Sequence, residues 1–292
     1  MTLPECLCPG ERHAMQPTYS LLWIGDPDQP EEFQLTLDAI SPLLTTSQVP
    51  TVAVALERRA STAPTLICLA EPRPGLVTTA DVLALSRQWP LARLVAVAPS
   101  LADGRRRSGP DLPGVMTVPW HDLPARLRAW LWALADGRPC SLDLPLTARR
   151  DERWLDHSAP PEKASELARR PRVTVAADST LAAEAVGELV QRSGGTVVGQ
   201  QTGRPSITDS ADLIVWDVAA AIEPHLGWLR LLAGQRPERS IVLLCSFPRS
   251  DAVRAALAAG ATAVLGRPTD QEALGGMLLA HKTALSATDL VR

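Results

Sequence analysis

The sequence predicts an α/β protein built from parallel sheets with helices on both faces. In the second half of the 292-residue chain, short apolar segments alternate with helical segments, and each apolar segment is a continuous run. Continuous apolar runs are typical of parallel strands that are buried on both faces. Strands that alternate with helices indicate a doubly wound sheet. The first half repeats this plan more faintly, which predicts two copies of one fold.

Five strands and four helices are predicted in the second half. The strands cover residues 172–178, 196–200, 212–217, 240–246 and 262–266, and the helices cover 179–195, 223–234, 250–260 and 269–285. Ser250 is the predicted N-cap of the third helix and Gly260 its terminator. A capping box of Thr269 and Glu272 is predicted to open the last helix.

The first half contains a similar set of predicted elements. Its strands cover residues 20–26, 51–56, 64–70, 92–100 and 114–120, and its helices cover 31–44, 78–89 and 121–137. The same number of residues separates Ala70 from Ala98 as separates Asp217 from Cys245, so the ends of the third and fourth strands repeat. We therefore predict two flavodoxin-like (βα)5 doubly wound domains, at residues 18–137 and 172–292, with a linker over 138–171 that is rich in proline and charge.

Composition limits the class of protein. The apolar fraction is 46%, which supports a packed core, and the net charge is −3 with a pI near 6.0. This balance gives no reason to expect nucleic-acid or membrane partners. We find no secretory signal and no membrane span, and the five cysteines are odd in number and scattered, so a reducing, cytoplasmic location is expected. A partial metal site at Cys6, Cys8 and His13 is the alternative to a frayed N-terminus.

Two aspartates mark the predicted site. In a doubly wound sheet, ligands bind beyond the carboxyl ends of the strands. The flavodoxin-like order makes the first and third strands neighbours, so Asp178 and Asp217 are expected at the same edge of the second sheet. Two carboxylates there suit a hard cation such as Mg²⁺, which prefers oxygen ligands.

These motifs resemble the receiver domain of two-component response regulators. Four segments carry the resemblance: "VAADST" at 175–180, "ADLIVWDV" at 211–218, "LLCSF" at 243–247 and "AALAAGATAVLGRPTDQEAL" at 255–274. The resemblance implies that Asp217 accepts a phosphoryl group from a histidine kinase and that Asp178 and Asp217 ligate Mg²⁺. It also implies that Arg267 contacts the phosphoryl group and that Cys245 occupies the switch position.

Several residues depart from the family pattern. Ala177 replaces one acid of the acidic pair, and Arg267 replaces the lysine with a guanidinium of different geometry. Cys245 replaces a threonine or serine, and Val264 replaces the switch aromatic. Asp217 is therefore either a phosphoacceptor or a leftover acid in a pseudo-receiver.

The first half departs further from the family. It keeps Asp26 at the end of its first strand, but the phosphoacceptor position falls on Ala70, with Glu71 beside it. The lysine position falls on Val118, which precedes Pro119. Because alanine has no nucleophile, we expect this half not to be phosphorylated by the family's chemistry, and its pocket is either empty or filled by side chains.

Other candidate residues have a functional and a structural interpretation. Cys245 is a reactive thiol or a small buried strand residue. The basic segment 104–109 is an anion-binding patch or a solvated loop. Trp120, Trp130 and Trp132 form a docking surface or pack into a core. The histidines at 121, 157, 225 and 281 fall on helices or the linker, away from the strand ends, so they give no support to an enzyme.

We therefore expect a signalling protein that has tandem receiver-like domains and is not an enzyme. Its output would be a protein–protein contact, with a histidine kinase, another signalling protein or a second copy of the chain as partner. The alternative is a phosphate-independent pseudo-receiver scaffold.

Overall fold

The computed structural model describes residues 19–58, 63–73, 75–102, 112, 114–144 and 170–289. The N-terminal Cys6, Cys8 and His13, the basic segment 104–109 and most of the predicted linker lie outside the described residues. The described chain forms two five-stranded parallel sheets flanked by helices. This confirms the prediction of an α/β protein with two parallel sheets. No helix in the described ranges combines the length and the apolar character that crossing a membrane requires.

We call residues 19–144 the first unit. Its strands are β1 (Ser20–Ile24), β2 (Thr45–Val49), β3 (Leu66–Ala70), β4 (Arg93–Ala98) and β5 (Met116–Pro119). Its helices are α1 (Glu31–Ile40), α2 (Val52–Glu57), α3 (Thr79–Gln88) and α4 (Leu123–Ala135). The strand order is β2-β1-β3-β4-β5, and all pairs are parallel.

We call residues 170–289 the second unit. Its strands are β6 (Arg172–Ala177), β7 (Thr196–Thr202), β8 (Leu213–Asp217), β9 (Ser240–Cys245) and β10 (Ala263–Gly266). Its helices are α5 (Thr180–Arg192), α6 (Leu226–Gln235), α7 (Ser250–Ala258) and α8 (Gln271–Asp289). The order β7-β6-β8-β9-β10 matches that of the first unit, and all pairs are again parallel.

Burial explains why some strands were easy to predict. Every residue of β3 and β8 is buried, because these central strands are covered on both faces. The edge strand β7 alternates between exposed and half-buried residues, and the edge strand β2 is mostly exposed. A continuous apolar run therefore identifies the central strands, whereas the edge strand β2 has no such run.

The second strand of the first unit was predicted in the wrong place. Residues 51–56, predicted as a strand, are the N-cap Thr51 and most of helix α2, and the strand is the polar segment Thr45–Val49. The Thr51 side chain caps α2 by accepting a hydrogen bond from the Val54 amide at 3.3 Å. Because β2 lies at the edge of the sheet, it needs no apolar run, and periodicity gave no signal for it.

Two predicted caps were also wrong. Arg249 occupies the N-cap position of α7, so Ser250 lies inside the helix. Asp270 caps α8, because its Oδ1 accepts a hydrogen bond from the Ala273 amide at 2.7 Å, whereas the Thr269 hydroxyl donates to the Gly266 carbonyl. The predicted terminator of α7 is confirmed, since Gly260 has a φ of +102°.

The two units pack against each other through their last helices. Helix α4 lies on α8, and α1 contacts α7. One buried apolar cluster continues from the first unit to the second and includes Trp23, Trp130 and Trp216. Trp120 is buried as well, whereas Trp132 is 38% exposed and stacks with Arg138. The core interpretation of the tryptophans is therefore correct for Trp120 and Trp130.

Polar contacts fix this interface. Arg126 of α4 forms ion pairs with Asp270 and with Glu272, the latter at 3.4 Å. The Ser141 hydroxyl donates to Glu272 at 2.8 Å and accepts from the Trp130 Nε1–H at 2.9 Å. The beginning of the predicted linker is therefore held at the interface rather than free.

A pair of neighbouring glycines tests the α4–α8 contact. A Cβ on Gly276 would lie 1.9 Å from the Ala125 carbonyl oxygen, whereas one on Gly275 would meet only the Ser193 carbonyl, at 3.8 Å. We expect Gly276→Ala to lower the free energy of unfolding by about 1–3 kcal/mol, because it overpacks the interface. Gly275→Ala should leave it unchanged or raise it by up to about 1 kcal/mol, through helix propensity. Urea titration checks this, and equal effects of the two substitutions would contradict the packing described.

Candidate functional site

The candidate site lies at the carboxyl edge of the second sheet. Asp217 is the last residue of β8, Cys245 is the last residue of β9, and Arg267 directly follows β10. The Arg267 amide donates to the Cys245 carbonyl at 3.0 Å, which extends the β9–β10 ladder by one bond. Three of the predicted site residues therefore come from adjacent strands and lie together.

A direct ion pair joins Asp217 and Arg267. The guanidinium Nη1 lies 3.1 Å from the Oδ1 of Asp217, and the same oxygen accepts the Ala219 amide at 3.0 Å. The Asp217 side chain is 1% exposed, whereas that of Arg267 is 37% exposed. The guanidinium thus lies between a buried carboxylate and solvent. Asp217 Oδ2 is buried, and it has no hydrogen-bond partner among the residues that the structure describes.

The loops after β8 and β9 are tied together beside this ion pair. The Ser246 amide donates to the Ala219 carbonyl at 2.6 Å, and the Val218 amide donates to the Leu244 carbonyl at 3.0 Å. Ala219 and Phe247 have positive φ values of 55° and 54°. L-residues adopt this conformation only when their surroundings enforce it. The rim of the site is therefore held in one shape by backbone contacts.

Asp178 is placed differently from the other predicted residues. It directly follows β6, beside β8, and its side chain is exposed, while Ala177 is fully buried. Across the described ranges, no three His, Cys, Asp or Glu side chains form a group that could hold a metal ion. The carboxylate of Asp217 already contacts a cationic guanidinium. Ligation of Mg²⁺ by Asp178 and Asp217 therefore stays a prediction, and a cation there would have to share the Asp217 carboxylate with Arg267.

Cys245 is a buried strand residue. Its side chain is 3% exposed, and its Sγ lies 3.5 Å from the Ser246 carbonyl oxygen. Burial raises the pKa of the thiol, and the negative charges of Glu223 and Asp217 raise it further, while Arg267 opposes them. Because the thiolate is the reactive form, the structural interpretation of this cysteine is favoured over the reactive one.

The first unit has a closed counterpart of this site. Ala70 pairs with Val97 in the first sheet as Asp217 pairs with Leu244 in the second, so Ala70 takes the position of the aspartate. A Cβ on Gly25 would lie 2.7 Å from the Ala70 Cβ, which shows how closely β1 and β3 approach there. The acid is therefore replaced by a methyl group in a tightly packed edge.

Trp120 occupies the position of Arg267 in the first unit. Its amide donates to the Ala98 carbonyl at 2.9 Å, as the Arg267 amide does to Cys245. The sequence analysis had placed Val118, which precedes Pro119, at this position, two residues too early. Trp120 is buried, and its indole Nε1–H donates to the Ser100 hydroxyl at 3.1 Å.

The two acidic residues near the strand ends of the first unit, Asp26 and Glu71, accept hydrogen bonds from nearby backbone amides. Glu71 is buried and accepts the Gly75 amide at 3.0 Å, and Asp26 accepts the Asp28 amide at 2.9 Å. Both carboxylates therefore stabilise the turns in which they lie. Neither contact suggests a catalytic role in this unit.

Two residues of the first unit contact the turn of the second unit that carries Arg267. The sequence analysis did not predict this contact. Asp122 Oδ1 accepts the Gly266 amide at 2.9 Å and lies 3.0 Å from His121 Nδ1. Burial opposes ionisation of Asp122, but His121, the Gly266 amide and Arg126 together lower its pKa. The expectation that His121 lies away from the strand ends was wrong, because it lies against the end of β10. A histidine and an aspartate directly after a predicted strand were the available signal.

His225 also lies nearer to the site than expected. Its ring meets the indole of Trp216 edge-on, with centroids 4.9 Å apart, one residue before Asp217. Burial lowers the pKa of His225, and the nearby Arg204 lowers it further. The neutral form is therefore favoured, which suits packing against an aromatic ring.

Comparison with solved structures gives matches of about one unit's length. A pilus assembly-related protein from Burkholderia pseudomallei has 21% identity and a TM-score of 0.36, and the match covers 39% of this chain and 90% of that one. A response regulator from Thermotoga maritima has 18% identity and a TM-score of 0.34, with 39% and 99% covered. The signal receiver domain of a Luxo repressor protein from Vibrio parahaemolyticus has 23% identity and a TM-score of 0.35, with 42% and 98% covered. No family model and no curated protein matches the sequence.

The ion pair predicts a specific stability effect. Arg267→Ala should lower the free energy of unfolding by about 1–2 kcal/mol, because it leaves Asp217 buried without a cation, although partial exposure of Arg267 moderates the loss. Arg249→Ala is the control, because its pair with Asp251 is exposed at 3.5 Å, and it should change stability by less than about 0.5 kcal/mol. Adding Asp217→Asn to Arg267→Ala should recover part of the loss. Urea titration of the full cycle measures this, and additive effects would show that the two residues are not coupled.

Burial of the thiols predicts their reactivity. Cys68, Cys140 and Cys245 are free and buried, and burial raises the pKa of Cys140 to about 12. At pH 8, iodoacetamide should leave all three unmodified in the folded protein and label all three in urea, as read by peptide mass spectrometry. Rapid labelling of Cys245 in the folded state would restore the interpretation of this residue as a reactive thiol.

Proposed function

We propose that this chain is a signalling protein of two receiver-like domains that acts by protein–protein contact and requires no phosphorylation of its own. The observation that carries this proposal is the direct pair between the buried Asp217 and Arg267. In such a site the cation that would stabilise an incoming phosphoryl group already neutralises the acceptor carboxylate. The protein is then a pseudo-receiver adaptor with a fixed surface and no catalytic reaction.

The first unit supports this proposal. Ala70 supplies no nucleophile, and Trp120 stands at the chain position that Arg267 has in the second unit. A unit with neither group has no route to a phosphorylated state by receiver chemistry. Its contribution is the packed face of α1 and α4, which covers α7 and α8 of the second unit.

The second unit supplies the proposed contact surface. The loops after β8 and β9 are hydrogen-bonded to each other, and Phe247 is 70% exposed at their rim. An exposed aromatic residue on a fixed backbone is an efficient anchor for a partner, because little conformational freedom is lost on binding. The partner that we propose is another signalling protein, and the three free buried thiols suit a reducing cytoplasmic location.

Phosphorylation of Asp217 is the second candidate function, and the unpartnered Oδ2 favours it. In that case Oδ2 attacks the phosphorus of a phosphohistidine on a kinase. The P–N bond breaks, an acyl phosphate forms, and the histidine nitrogen takes a proton from solvent. Arg267 must first move aside to admit the donor, and its side chain is exposed enough to do so.

Acetyl phosphate and beryllofluoride distinguish the two candidates. We expect wild-type protein with Mg²⁺ to show neither a phosphoryl mass increment nor a bound fluoride signal by ¹⁹F NMR, because Asp217 is covered and paired. Asp217→Asn is the control, and an authentic receiver domain verifies the reagents. A wild-type signal that is lost in Asp217→Asn would overturn the adaptor proposal and establish phosphorylation.

A further inference from the structure

The turn that carries Arg267 is held from outside its own unit. The Gly266 amide, one residue before Arg267, donates to Asp122 Oδ1 at 2.9 Å, and this contact is buried. Asp122 belongs to the turn between β5 and α4 of the first unit. A hydrogen bond between the units therefore ends at the residue that precedes the site's cation.

Shape reinforces this contact. A Cβ on residue 266 would lie 2.4 Å from His121 Cε1, so the imidazole occupies the space that the glycine leaves free. His121 in turn lies 3.0 Å from Asp122 Oδ1, and its side chain is 5% exposed. The first unit thus fills the side of the β10–α8 turn while it accepts a hydrogen bond from the turn's backbone.

Ion pairs between the two units lie further along the same turn. Arg126, one helical turn after Asp122, pairs with Asp270 and Glu272. Arg267 lies between two anchored points, Gly266 on one side and Asp270 on the other. The freedom of its backbone is therefore limited by the first unit, while its guanidinium remains free to meet Asp217.

We propose that Asp122 is a positioning residue that holds the Arg267 turn so that the guanidinium covers Asp217. This inference rests on the proposed function, because it explains how the second site is kept closed. The first unit is then a permanent internal partner that locks the site of the second unit. A separate interface pair provides a comparison, because Arg254 and Glu31 join α7 and α1 at an exposed position away from this turn.

The test uses the full-length chain and two readouts that do not involve phosphate. Hydrogen exchange by mass spectrometry reports the segment 264–269, and carbodiimide coupling of an amine reports the accessibility of the Asp217 carboxylate. Asp122→Ala should raise exchange at 264–269 about tenfold or more and make Asp217 modifiable. Asp122→Asn, which keeps an oxygen acceptor for Gly266, should restore most of the protection.

Two further variants separate positioning from general loss of structure. Gly266→Ala disturbs the same contact from the other side, because its Cβ would clash with the His121 ring and push the first unit away from the turn, and it should reproduce the effect of Asp122→Ala. Glu31→Ala weakens the interface elsewhere and should leave both readouts unchanged. Unchanged exchange and labelling in Asp122→Ala and Gly266→Ala would overturn the proposal, as would an equal change in Glu31→Ala. If the wild type were phosphorylated while the variants still gave the expected exchange and labelling, only the adaptor function would be overturned. The positioning role of Asp122 would stand.

Discussion

The ion pair between Asp217 and Arg267 is the constraint on which the account of this protein depends. A buried carboxylate is stable only when its charge is compensated. Here a guanidinium and a backbone amide compensate one oxygen, and the second oxygen has no hydrogen-bond partner within the described part of the chain. The same pair neutralises the acid, covers it from solvent and connects β8 to the turn after β10. These properties are the basis of the proposal that the site holds a fixed shape and transfers no group.

The contact between the two units links this ion pair to the first unit. The first unit has Ala70 and Trp120 at the positions that Asp217 and Arg267 hold in the second unit, and its helix α4 packs closely against α8. A unit without these two groups can still position its neighbour through this interface. Asp122 is the residue through which this positioning reaches Arg267.

The sequence predicted the central strands, most helices and the strand-end residues, since these features follow from local patterns. Continuous apolar runs identify strands such as Leu213–Asp217, and the carboxyl ends of parallel strands necessarily share an edge. The edge strand Thr45–Val49 was missed because its exposed, polar residues have no period. Its neighbour α2 was mistaken for a strand because "VAVAL" is rich in β-branched residues, although Thr51 caps it as a helix.

Long-range features were the ones that sequence patterns did not supply. Whether the Asp217 carboxylate contacts Arg267 depends on side-chain direction, which the sequence does not determine. The roles of His121 and Asp122 depend on docking of two units that are separated by a long segment, which no local spacing encodes. The most direct measurement of the central claim is the side-chain NMR spectrum of Arg267. Slowly rotating, resolved Nη resonances that are lost in Asp217→Asn would support the buried ion pair, whereas averaged resonances like those of the exposed Arg249 would contradict it.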